Sequence, residues 1–207
     1  MQTETSVETK SQKTRKRIIG HATQLVHRQG LENTTIDDIV KSAGITKGSF
    51  YFHFASKEEL GYAVIDSAAA YVLSGLRHVS EDTALSPEGR LEAMLRMLQS
   101  AVEDNNCGNG CILGNLALEM SDLHEGYRRR LAEIFDGWVL LFQGLLEEMQ
   151  REGEMASGLD AADYARHAVV VLEGGIMLSK VKKDPAPLRA EMERLLNEIE
   201  AYRKKEG

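Results

Sequence analysis

The sequence predicts an all-α fold of about nine helices, in which a three-helix helix-turn-helix head precedes a larger helical body. Three observations lead there. Leu, Ala, Glu, Met, Arg and Lys are abundant, while only 3 Pro interrupt 207 residues, a balance that favours helix over strand. Apolar residues recur at three- and four-residue spacing through most of the chain. Ser and Thr caps and Gly stops cut that periodicity into segments of helical length. The length allows two compact units with a substantial core.

Residues 1–12 are polar, rich in Thr, Glu, Ser and Gln, and lack apolar periodicity, so a flexible arm is expected there. The first helix is expected from Thr14, with Ile18, Ala22, Leu25 and Val26 on one face and Gly30 as its stop. Thr35 is a good N-cap for a second helix, with Asp38 three residues on and Ile36, Ile39, Val40 and Ala43 at i, i+3, i+4 and i+7. Gly44 closes it. Thr46 caps a third helix over residues 47–53, with Phe50 and Phe54 pointing inward. Ser56 and Glu59 form the next capping box, and the fourth helix runs through Leu60, Val64 and Tyr71 towards Val79. This gives an arm over 1–12, a head over 13–60 and a body over 61–207.

In the body, Leu91, Met94, Leu95, Leu98 and Val102 mark a fifth helix that ends in the Gly-rich stretch 104–110. A short sixth covers 111–120. The seventh, 125–152, carries Leu131, Ile134, Phe135, Trp138, Leu141, Phe142, Leu145 and Met149 at helical spacing. After a loop at 153–158, the eighth spans 161–182 and is apolar over much of its surface. The ninth, 188–203, puts Leu188, Met192, Leu195, Leu196 and Ile199 on one stripe. No internal repeat is present.

Charge divides along the chain. Residues 10–57 hold 9 Lys/Arg against 3 Asp/Glu, whereas the residues after 57 hold 16 against 27, within a net charge of -7. A basic head on an acidic body suits a protein that meets a polyanion with one end, and argues against an indiscriminate nucleic-acid coat. No apolar run is long enough for a signal peptide or membrane span, so a cytoplasmic protein without membrane contact is expected. Cys107 and Cys111 are expected to stay reduced.

The second and third helices, joined by the tight turn at 43–45 behind a longer supporting helix, make a helix-turn-helix whose second member can enter a major groove. Gly48 would let the backbone approach the duplex, Lys47 supplies charge, Ser49 is a small donor and acceptor, and Tyr51 and His53 carry polar tips on rigid rings. Lys57, beside the start of the fourth helix, combines a cation with free backbone donors, as a phosphate clamp would, and Thr35 could serve likewise at the second helix. Thr35 and Thr46 are caps whether or not DNA is bound.

The run Thr34-Thr35-x-x-x-Ile39, then Ala43-Gly44-Ile45-Thr46-Lys47-Gly48-Ser49-Phe50-Tyr51-Phe52-His53-Phe54-x-x-Lys57-x-x-Leu60, resembles the head of the tetracycline-repressor (TetR) family. The resemblance implies a homodimer that binds a palindromic double-stranded DNA operator and lets go when a small molecule enters the larger domain. It also implies DNA contacts at Thr35, Thr46, Lys47, Tyr51, His53 and Lys57. An activator with the same head is the alternative.

The stretch from Cys107 to Glu119 resembles a subgroup of that family with a Gly-Cys-x-x-Gly-Asn-x-x-x-Glu segment opening the sixth helix. Some related regulators sense electrophiles or oxidants through a cysteine in this region, so Cys107 or Cys111 could act so if a helix N-terminus stabilised a thiolate. The simpler reading makes Cys111 a small packed residue. Met94, Leu98, Cys111, Trp138, Phe142, Tyr164, His167 and Met177 lie on helices that could surround an effector cavity, with Asn115 and Glu173 as polar anchors, although plain core explains most of them. Gly174 and Gly175 would allow close helix approach, and the stripe from Leu188 to Ile199 could complete a four-helix dimer interface formed by the last two helices.

Enzyme signatures fail on spacing. His124-Glu125 is followed by Arg128 where a second zinc-binding His is needed, Gly108-x-Gly110 meets Leu113 in place of a third glycine, and Cys107-x-x-x-Cys111 has no companion pair. No nucleophile, base or metal constellation can be assembled, so neither an enzyme nor a cofactor or metal site is expected.

Overall fold

The structure, a computed structural model, describes residues 9–155 and 158–203 and contains nine helices among them: α1 (Lys10–Gln29), α2 (Ile36–Ala43), α3 (Lys47–His53), α4 (Lys57–Ser80), α5 (Pro87–Asp104), α6 (Ile112–Met120), α7 (Glu125–Glu152), α8 (Ala161–Lys182) and α9 (Ala186–Ala201). Extended pairing among the described residues is confined to an isolated antiparallel bridge between Met155 and Arg203.

Side-chain caps decide where helices begin. Thr9 accepts the Gln12 amide at 3.2 Å, and Gln12 accepts the Thr9 amide at 2.8 Å, a full capping box. Consequently α1 starts at Lys10, and residues 9–12 of the expected flexible arm are its cap and first turn; the remainder of that arm lies outside the described residues. Thr35 and Asp38 form the same box at α2, and Gly44 ends that helix with φ 61°, the left-handed geometry that glycine adopts without Cβ strain. At α4, Ser56 accepts the Glu59 amide at 3.1 Å, but Glu59 reaches back to the Ala55 amide at 2.7 Å, one residue before the expected partner.

The chain divides into two compact units, with the division falling inside α4 between Ala68 and Ala69. The first is organised around Ile18, Ala22, Leu25 and Val26 of α1, Ile39 and Ala43 of α2, and Phe50 and Phe54, all buried. Phe50 and Phe54 pack with ring centroids 5.8 Å apart, and the Arg15 guanidinium sits 4.7 Å over the Phe54 ring, a cation–π contact that covers the core edge.

In the second unit, α5, α7, α8 and α9 enclose Leu91, Met94, Leu95, Trp138, Phe142, Leu172, Ile176 and Leu188. Each such side chain contributes about 1.5–3 kcal/mol through burial. Arg90, almost fully buried, ties α5 to α7 through Glu148 at 2.6 Å and donates to the Ser80 carbonyl at 2.9 Å. Leu188, Met192, Leu195 and Ile199 all point into this core, so the α9 stripe expected at a dimer interface is used up within the chain itself. A Cβ on Gly175 would meet the Leu188 Cα at 3.1 Å, which accounts for the close α8–α9 approach, whereas Gly174 faces open space.

Candidate nucleic-acid interface

The buried Phe50 fixes which way α3 faces. At about 100° per residue, Phe50 turns inward, Ser49 and His53 flank it half-buried, and Lys47, Gly48, Tyr51 and Phe52 look outward. Thr46 caps the helix by accepting the Ser49 amide at 3.1 Å and is exposed. Tyr51 meets Phe50 edge-on, with centroids 5.3 Å apart, so its hydroxyl is presented by a braced ring. Phe52 is similarly edge-on to His53, at 5.0 Å.

The cations are already engaged. Lys47 holds Asp37 of α2 at 2.7 Å, and Lys57 donates to the Glu32 carbonyl at 3.0 Å. An ammonium carries three donors, so Lys57 keeps two for a phosphate. Thr35, exposed at the start of α2, donates its hydroxyl to Asp38 at 2.6 Å and accepts the Asp38 amide at 3.1 Å. All eight sequence-predicted DNA residues therefore lie at the starts of α2, α3 and α4 or along α3. Two of them flank the buried side of α3: Ser49 and His53 present only part of their surface. Phe52, exposed over 78% of its surface, was not among them. Its register opposite Phe50 is the signal that could have found it.

Two family models match the chain: one described as bacterial regulatory proteins, tetR family, over residues 18–64, and one described as tetracyclin repressor-like, C-terminal domain, over residues 87–195. The chain belongs to the TetR family. This TetR-family regulator is 31% identical to the transcriptional regulator AcuR of Cereibacter sphaeroides over 177 residues, covering 82% of the chain and 81% of AcuR. It is 29% identical to the HTH-type transcriptional repressor DhaR of a Mycobacterium species, covering 84% of the chain and 86% of DhaR. A crystal structure of regulatory protein TetR from Rhodobacter sphaeroides superposes with a TM-score of 0.83 at 27% identity, covering 89% of this chain and 97% of that one. The protein is a DNA-binding transcriptional regulator.

In the second unit of the TetR-family regulator, the ten residues expected around an effector cavity separate into three groups and the single residue Tyr164. Met94, Leu98, Trp138 and Phe142 are buried core. Met177 is 51% exposed on α8, and His167 stands outward 3.8 Å from Glu198; neither faces the interior, which corrects their expected place. An apolar crevice is lined by Leu91, Leu95, Phe142, Tyr164, Leu195 and Ile199 among others, and the Tyr164 hydroxyl lies 2.9 Å from the Leu195 carbonyl and 3.1 Å from Glu198.

Cys111, Asn115 and Glu173 form the third group. Cys111 caps α6, its sulfur accepting the Gly114 amide at 3.4 Å. Glu173 of α8 acts electrostatically on the same thiol, and a Cβ on Gly114 would lie 2.5 Å from Glu173 Oε2. Glu173 Oε1 is buried with no hydrogen-bond partner, as is the Trp138 Nε1 donor. Asn115 donates to the Asn109 carbonyl at 2.7 Å and accepts from Lys180 at 3.1 Å, a partner the sequence reading did not name.

The electrostatics here run against a thiolate. Burial first, and the Glu173 carboxylate second, push the Cys111 thiol well above its ordinary range, and the helix N-terminal amides offset only part of this. Cys107 is buried, and neither cysteine forms a disulfide. The groups around Cys111 favour the neutral S–H, so its surroundings lend no support to thiol sensing there. Among the described residues no cluster of His, Cys, Asp or Glu could hold a metal, and no helix is long and apolar enough to cross a membrane.

Proposed function

We propose that this regulator is a cytoplasmic homodimeric repressor that binds a palindromic operator through α3 and is released when a small-molecule effector enters the body. The observation that carries the reading is the exposed surface of α3, where Lys47, Gly48 and Tyr51 are open to solvent while Phe50 is buried, between capped helix starts bearing Thr35 and Lys57. Thr46 and the half-buried Ser49 and His53 complete the contact set. DhaR, a relative of nearly full length, is itself named a repressor.

Dimerisation would use the last two helices, but through the outer face of α8. Val170, Gly174, Met177, Leu178 and Val181 repeat at i, i+4, i+7, i+8 and i+11, and the four larger ones are exposed. For the effector, the body offers the apolar crevice that Phe142 and Tyr164 help to line, with the orphaned polar atoms of Trp138 and Glu173 as candidate anchors. A gel-shift assay on a palindrome enriched from random duplexes tests the reading. Lys57→Ala and Tyr51→Phe should each weaken binding, the former reducing the salt slope by about 1. Half-sites should lie about 34 Å apart or a multiple of it. Absence of any sequence-selective binding would overturn it.

A further inference from the structure

We infer that Phe52 reads the C5-methyl group of one thymine in each operator half-site. The inference rests on α3 being the recognition helix, and three observations carry it further than that reading. First, with steps of about 100° per residue, Phe52 and Gly48 lie nearest to the direction opposite Phe50, whose exposure is 0%. Phe52 is therefore at the centre of the outward face, not on its margin, and is 78% exposed.

Second, the phenyl ring has no donor or acceptor, so it cannot use the hydrogen-bonding code of the base edges. The apolar group that a base pair presents in the major groove is the thymine methyl. Scattered exposed apolar residues are ordinary on protein surfaces, but this one stands on the face that must meet base edges if α3 enters the groove. Third, one turn earlier Gly48 adds no side chain, although a Cβ there would find only Thr46 Oγ1, at 3.9 Å. The fold leaves room for a side chain at Gly48. Its absence keeps the helix surface low beside Phe52 and lets the ring reach the groove floor. His53, edge-on at 5.0 Å, limits the ring's rotation and so the cost of ordering it.

The test uses the full chain and a duplex enriched by it from a random double-stranded pool. Each thymine of that duplex is replaced in turn by deoxyuridine, which removes the methyl and leaves the pairing edges intact. For the wild-type protein, one position per half-site should weaken binding by about fourfold, and both together by about 15-fold, the loss expected for one buried methyl-sized group at each site. Phe52→Ala should bind the thymine and deoxyuridine duplexes equally, and should enrich a site degenerate at that position alone. Phe52→Leu, which keeps an apolar tip, should retain part of the discrimination.

Two results would overturn the inference: an undiminished methyl dependence in Phe52→Ala, or a uniform loss across all duplexes, which marks a backbone or wedging contact. Circular dichroism of Phe52→Ala should match the wild type, since the side chain is exposed. Failure of the wild type to enrich any sequence is a separate result, which removes the recognition-helix reading and this inference with it.

Discussion

Lys47, the first residue of α3, holds the carboxylate of Asp37 at 2.7 Å, although both side chains are more than 60% exposed. The contact raises the lysine pKa chiefly through the hydrogen bond and so keeps it charged, but it also places an anion beside the face proposed to meet DNA. Exposed pairs of this kind contribute little to stability. Asp37→Asn should leave the melting temperature nearly unchanged while tightening DNA binding at low salt. The slope of log affinity against log salt should steepen by up to about 1, because Lys47 is released to a phosphate. Salt-titrated fluorescence anisotropy measures this, and an unchanged slope would show that Lys47 stays away from the backbone.

Gly48 separates folding from binding. Since a Cβ meets nothing closer than 3.9 Å, Gly48→Ala should fold normally and gain a little stability from its better helix propensity. Operator affinity should nonetheless fall by about tenfold or more, the size of one disrupted base-pair contact. Thermal unfolding and anisotropy on the same preparation test both halves. Unaltered affinity would mean the backbone never comes close to the duplex at this point.

Glu173 gives the body a pH dependence of calculable sign. Burial raises its folded pKa above the ordinary 4.5, so between that value and the raised one the native state binds more protons than the unfolded chain. Stability from this group therefore falls as pH rises through that window, and the loss is complete above the folded pKa. Glu173→Gln removes the titration, and its urea midpoint should vary less over that range than the wild-type midpoint does. Gly114→Ala, by contrast, places a methyl 2.5 Å from Glu173 Oε2, so the Glu173 carboxyl must move aside, and the urea midpoint should fall by an amount set by how far that buried side chain can shift.

Local signals were legible in the sequence where one residue decides one hydrogen bond. Thr35, Thr46 and Gly44 end or begin helices where side-chain chemistry places them. Thr9 with Gln12 carries the same kind of signal, but no apolar periodicity surrounds it, and the apolar pattern alone points to a start four residues later, at Thr14. Periodicity shows that a face is covered without showing what covers it. The α9 stripe would suit a second subunit as well as its own chain, and α5 and α8 of the same chain bury it. On α8, apolar residues surround most of the helix, so the pattern alone does not say which way Met177 faces; Leu172 and Ile176 fill the core and leave Met177 outside. The Glu173–Cys111–Gly114 contact joins residues about sixty positions apart, and nothing local announces it.

The outer face of α8 can be tested apart from the core. Val170 and Val181 are 68% and 73% exposed, one at each end of the repeating apolar face, and neither belongs to the buried cluster. In a two-fold interface each would meet its counterpart region on a second copy, so Val170→Glu with Val181→Glu brings like charges together in a setting with little water. Light scattering should give twice 23.0 kDa for the wild type and 23.0 kDa for the double variant. The variant's helical signal and melting temperature extrapolated to low protein concentration should be retained. Its operator binding should collapse to the weak affinity of one half-site, since a monomer engages only one. Met192→Ala supplies the contrast, because Met192 is 5% exposed and packed in the core of its own chain. It should lose about 2–5 kcal/mol of stability and still associate. A double glutamate variant that remains dimeric would move the interface away from α8.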